Sequence, residues 1–329
     1  MLKNQVKNTI VCILVLLLSG VSSTLAAGDK LGMHILNVHE LDEVRQIYPD
    51  QEWRYVTIPL TLADLERPKD WQKFMDRSFA LRLIPIVRLS TRFDPQAEAW
   101  QIPTRQDIVL LSDFLSNLDW HQAQRLVIVF NEVNHAKEWG GQLDPASYVE
   151  ALKFASQWLR SENKGFEILP AAMDLAANNS AETREAFNYL QAMWQAEPEL
   201  ADYFDHWNSH SYPNPGFSAS PRRLGQNSMR GFLHELDWLQ RRTGRDFAVY
   251  ITETGWSSSH LVNYSLSEYY LYSLRYIWSD SRVKAVTPFI MKGSPGPFAS
   301  FSFLDAAGAP TIHTFALQKA LKTFDAVSF

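Results

Sequence analysis

Cysteine is almost missing from this chain: its 329 residues include a single one, Cys12. One cysteine excludes an intramolecular disulfide and a cysteine-ligated metal site. Cys12 also lies in the N-terminal segment, so the rest of the chain has no thiol nucleophile. Glycine is sparse at 14 residues, and no glycine-rich phosphate loop follows the first β-like run. No Gly-x-Ser-x-Gly elbow occurs, which removes the usual signature of a serine hydrolase. His39-Glu40 and His234-Glu235 begin like the zinc-protease helix but lack its second histidine. Positive charge is also short. The net charge is -5 without a lysine or arginine run, so nothing points to nucleic acid.

Long apolar runs are limited to Ile10–Leu18, about nine residues, against the roughly 20 needed to span a bilayer. Lys3 and Lys7 precede this run and small residues follow it through Ala27, the pattern of a cleaved signal peptide over residues 1–27. The expectation is a secreted or periplasmic protein with no stable membrane association. A chain without disulfides must then rest on a large core, which residues 28–329 are long enough to supply.

Past the signal, β-rich apolar runs alternate with amphipathic stretches, the pattern of a parallel α/β sheet. Eight runs stand out: 31–36, 53–59, 83–89, 126–132, 167–173, 207–212, 247–253 and 283–291. Helical spacing recurs between them, as in 146–159, 229–242, 266–278 and 312–323. No linker or low-complexity segment divides the chain. The expected fold is α/β, a single (β/α)8 TIM barrel in one domain over residues 28–329.

Such barrels carry their chemistry at the C-terminal ends of the strands. Two runs finish in a glutamate, Asn131-Glu132 after the fourth and Glu253-Thr254-Gly255-Trp256 after the seventh. They are separated by about three strand–helix units, as strands four and seven require. Two carboxyl groups flanking a bond suit glycoside cleavage. One stays protonated to give its proton to the leaving oxygen, and the other is ionised. An exposed loop charge or a salt bridge is the plainer reading of either glutamate alone. The 11 Trp and 12 Tyr add rings suited to sugar faces, although large cores use such rings too.

With these motifs the sequence resembles clan A of the glycoside hydrolases, in particular the cellulase-like family 5 and family 39 enzymes. The resemblance implies that Glu132 is the acid/base, Glu253 the nucleophile, and Asn131 the partner of the sugar 2-hydroxyl. His210-Ser211-Tyr212 resembles the His-x-Tyr of strand six. There Tyr212 would hold the nucleophile and His210 would shape the site near the scissile bond. Leu304-Asp305-Ala306-Ala307-Gly308 resembles the turn before the clan's last helix. The strand-eight run Thr287–Lys292 departs from the clan, which usually places a Trp there. Phe289 or Met291 is a candidate for the apolar floor, and Lys292 adds a charge that hints at an acidic sugar or anionic polymer. Lys292 could equally be a plain salt bridge, with Glu253 or Asp305.

Further candidates are Arg88 at the end of strand three, His34 near the end of strand one, and Trp139 and Trp256 as stacking platforms. The resulting expectation is a monomeric retaining β-glycosidase that acts on an extracytoplasmic oligo- or polysaccharide without metal or cofactor. A transglycosylase on the same scaffold and a non-catalytic glycan-binding barrel remain open beside it.

Overall fold

A computed structural model describes residues 28–326, apart from 51, 163, 164 and 262. The expected signal peptide, residues 1–27, lies outside the described residues. Among those described, no helix is long and apolar enough to cross a membrane.

Among the described residues, eight parallel strands form two sheets. The first holds β1 (Gly32–His34), β2 (Arg54–Leu60), β3 (Leu83–Leu89), β4 (Arg125–Val129) and β5 (Phe166–Pro170), paired in that order. The second holds β6 (Trp207–His210), β7 (Val249–Glu253) and β8 (Val283–Val286), again neighbour to neighbour. Single parallel bridges, Leu31 to Val286 and Asp174 to His210, connect the two sheets at both of their edges.

The strands are apolar on both faces because both faces are covered. Ile86, Leu126, Ile128, Leu169 and Tyr250 form a small cluster of strand residues. Their neighbours Val87, Val127, Val129, Ile168 and Ile251 point the other way and pack in the main core with the helices. Continuous apolar runs in place of alternation follow from this two-sided burial. Gly32 in β1 has a steric origin, since a Cβ there would sit 1.9 Å from the Tyr55 carbonyl oxygen.

Helices cover the strands. They are α1 (Val44–Ile47), α2 (Pro68–Ala80), α3 (Arg105–Ser116), α4 (Pro145–Glu162), α5 (Ala186–Ala196), α6 (Gly231–Thr243), α7 (Asn263–Tyr276) and α8 (Ile312–Asp325). In α2 the buried residues are Trp71, Phe74, Met75 and Ser78, one stripe at helical period. Helix α3 starts at a capping box between Thr104 and Asp107. Ahead of α8, Asp305 Oδ1 accepts from the Ala307 and Ala309 amides, so the turn resembling the clan motif is a closed hydrogen-bonded loop.

Strand ends shift from the expected bounds, most at β8, which stops at Val286 where sequence suggested 291. Beyond it the chain turns across the strand ends, with Phe289 N donating to Thr254 O and Met291 N to His34 O. A short hairpin, Phe93–Asp94 with Ala99–Trp100, follows β3 and carries no sequence period long enough to announce it.

Candidate active site

At the C-terminal ends of the strands lies a cavity of about 490 Å³. Glu132 and Glu253 both line it, with Arg88, Asn131, Tyr212 and Phe289. Glu253 is the last residue of β7 and is nearly buried, whereas Glu132 follows β4 on a strained stretch of chain. Phe130 and Glu132 have φ of 70° and 27°. Left-handed backbone costs a non-glycine residue about 1–2 kcal/mol, and such strain concentrates where function requires a particular aim.

Glu253 is held from three sides. Arg88 Nη1 donates to its Oε1 at 2.6 Å, and the Tyr212 hydroxyl donates to Oε2 at 3.1 Å. His210 Nδ1 lies 3.7 Å from the same Oε2. That nitrogen is also 2.9 Å from Glu132 Oε1, so one imidazole sits between the two carboxylates. An oxygen of Glu132, one of Glu253 and the His210 nitrogen all lie within 4.8 Å of one another.

Three such ligands invite a cation. Arg88 already places a positive charge on Glu253, however, and a metal ion would have to share that carboxylate with it. The contacts fit proton sharing better than metal binding.

The same arginine binds the neighbouring amide: Arg88 Nη1 donates to Asn131 Oδ1 at 2.8 Å, and Asn131 Nδ2 donates to Glu138 Oε2 at 3.3 Å. Below the pair, His34 is fully buried, 3.7 Å from Glu253 Oε1 and 3.3 Å from the Thr252 carbonyl. A carbonyl can only accept, so His34 carries its proton on Nδ1. Burial pushes its pKa down to about 3 against the raising effect of Glu253, so it is neutral at ordinary pH.

Burial alone would raise the Glu253 carboxyl. The charges of His210 and Arg88, with the Arg88 hydrogen bond, outweigh that and hold it well below the usual carboxylate range. Of the two, only Arg88 is charged at every working pH. In the catalytic reading, Arg88→Met removes that charge. The ionised carboxylate loses its stabilisation, its pKa rises, and the acidic limb of kcat/KM moves to higher pH by about 1–3 units. A pH–rate profile checks this; an unmoved limb would mean that Arg88 does not set the ionisation of Glu253.

Several expected residues lie elsewhere. Trp256 is fully buried against Tyr269 and Tyr270, its Nε1 donating to Ala219 O. Trp139 is enclosed edge-on by Phe130 and Tyr148. Both are corrected from stacking platforms to core residues, because their rings are covered on the sides a sugar would need. Lys292 is corrected too. It pairs with Glu43 at 2.6 Å, so the hint of an acidic substrate loses its basis, and neither Glu253 nor Asp305 is its partner. His34 and His210 stand behind the carboxylates rather than in the cavity wall.

Sequence reasoning missed Glu138, His135, Asp174 and Trp100, all of which line the cavity. His135 Nε2 meets Asp174 Oδ2 at 2.9 Å, and Asn134 ties the Asp174 segment to the loop after β4. Burial raises the pKa of Glu138, and the charge of Glu132 raises it further. The signal that could have found Glu138 and His135 is position alone: both follow Glu132 within the same strand-end loop.

The fold is similar to that of solved glycoside hydrolases, structures of families 39, 51 and 1 among them. A monomeric β-xylosidase from Caulobacter crescentus superposes with a TM-score of 0.63 at 13% identity, over 89% of this chain and 67% of that one. A family 39 glycoside hydrolase from Bacteroides cellulosilyticus gives 0.58 at 14%, over 90% and 65%. A β-glucanase from Saccharophagus degradans gives 0.53 at 14%, over 89% and 88%. This chain thus spans about two thirds of the length of the first two. No family model matches the sequence, and no curated protein sequence matches it. At such identities the likeness is one of fold.

Proposed function

We propose that this protein is a retaining β-glycosidase, built as one closed (β/α)8 barrel over residues 28–329 and exported by the signal at residues 1–27. The observation that carries the reading is the approach of the Glu132 and Glu253 oxygens to within 4.8 Å. Retaining enzymes hold their carboxyl groups about 5–5.5 Å apart, while inverting enzymes leave roughly 6.5–9.5 Å for a water. Glu253 attacks the anomeric carbon as Glu132 gives its proton to the leaving oxygen, and Glu132 then takes a proton from the incoming water. Arg88 and Tyr212 keep Glu253 ionised and aimed, and Asn131 is placed for the sugar 2-hydroxyl. Neither metal nor cofactor enters these steps. The substrate is an extracytoplasmic oligo- or polysaccharide, and the working form is a monomer.

The test is hydrolysis of a polysaccharide and aryl β-glycoside panel by residues 28–329, with NMR of the first-formed anomer. A β product released first supports retention, and an α product overturns it. Products longer than the substrate would move the reading to transglycosylation. Glycan binding without cleavage would move it to a recognition barrel.

A further inference from the structure

The wall of the cavity is divided. The loops after β3, β4 and β5 contribute mostly polar groups: Ser90, then Asn131, Glu132 and Glu138, then Asp174, with the Trp100 ring beside them. The loops after β6, β8 and β1 contribute Phe217, Phe289, Pro297, Phe298, Phe301 and Leu36, and the one polar side chain among them, Tyr212, gives its hydroxyl to Glu253. The bridge from Leu31 to Val286 places the start of β1 beside β8, and β6 and β8 flank β7. The apolar residues therefore form a continuous arc around the nucleophile, with Glu132 on the facing polar side. Ring contacts join the arc, Phe217 to Phe301 at 5.3 Å and Phe289 to Phe298 at 5.0 Å.

Two features of this arc run against stability. Leu36, Phe217 and Phe298 stay 41%, 38% and 45% exposed, at the mouth of one cavity. Phe217 is also held at φ 53°, a left-handed conformation that a bulky side chain avoids. Exposed apolar side chains that gather around a concave site mark a surface that meets a ligand. A fully hydroxylated sugar pressed there could lay a C–H face on a ring, but its hydroxyls would lose water and gain no hydrogen-bond partner from these six side chains, which is unfavourable. A hydrocarbon group would bury apolar surface at no such loss.

We infer that the glycoside cleaved here carries a hydrocarbon group, on its aglycone or as an acyl substituent of the sugar, lying against the arc of Leu36, Phe217, Phe289 and Phe298. This rests on the glycosidase reading and specifies its substrate class. The probes are methyl and hexyl β-glycosides of glucose, xylose and mannose for the aglycone arm. Xylo-oligosaccharides with and without O-acetyl groups serve the sugar arm. Each is compared in the wild type, Phe217→Ser, Phe298→Ser, and Phe315→Ser as a control at an exposed phenylalanine on α8.

The expected result is a kcat/KM at least about tenfold higher for hexyl than for methyl glycoside, a modest share of what five buried methylenes can contribute, or a rise of about fourfold on acetylation, the worth of roughly one buried methyl. That ratio falls toward one in Phe217→Ser and Phe298→Ser and holds in Phe315→Ser. The arm that responds identifies where the group is carried. Equal kcat/KM in both arms, or a ratio unchanged in both cavity variants, overturns the inference. If no probe is cleaved, calorimetric binding separates the two readings. Tighter binding of hexyl than methyl glycoside keeps the arc's role and sinks hydrolysis, whereas equal or absent binding sinks the arc's role as well.

Discussion

Glu253→Ala is expected to lower kcat by roughly 10⁴- to 10⁶-fold, the scale seen when a nucleophile is removed from a unit that works together. The physical reason is that Glu253 is both ionised and braced beside Glu132. Arg88, Tyr212 and His210 converge on this one carboxylate, and the net of their effects keeps it charged despite burial. The vacated space should accept azide, which would attack the sugar from the nucleophile's side and yield an α-glycosyl azide. Kinetics on an activated aryl glycoside, with and without azide, read both effects. Near-normal turnover in Glu253→Ala would remove it from the mechanism and leave the contacts around it as structural ion pairing.

Glu132→Ala is expected to lower kcat by about 10²–10⁴-fold on substrates with poor leaving groups, the usual worth of a positioned general acid. Formation of the glycosyl-enzyme should survive with dinitrophenyl leaving groups, which need no proton. Azide should then restore turnover as a β-glycosyl azide, because Glu253 is intact and the configuration is inverted twice. The combination distinguishes an acid/base from a residue that merely supports the fold. One carboxyl is placed to contradict the assignment: Glu138 lines the same cavity and is raised by burial. If Glu132→Ala keeps its activity and Glu138→Gln loses it, the acid is Glu138.

Much of the arrangement was legible in the residues themselves. The strand over Leu83–Leu89 falls where the apolar run put it, and the helices begin and end within a few residues of their hydrophobic stripes. Glu132 and Glu253 were visible because each ends an apolar run, and an apolar run in a parallel sheet has to be a buried strand. Arg88 was readable by the same rule.

The aromatic residues were not. Trp256 and Phe217 both sit in strand-end loops, yet the tryptophan is sealed in the core and the phenylalanine stands at the cavity mouth. Nothing local separates them. Burial of a loop side chain depends on which helices happen to pass over it, and for Trp256 those are residues of α7.

By itself, then, the sequence determined the order of the elements, the faces they bury and the two strands that end in glutamate. These follow from periodicity, which is a property of neighbouring residues. Only the tertiary structure decided that His210 stands between both carboxylates, that Lys292 answers Glu43, and that the cavity has a polar and an apolar side. Each of those depends on contacts between loops far apart in the chain. Their paths are set by what they pack against, and no repeat in the residues records that.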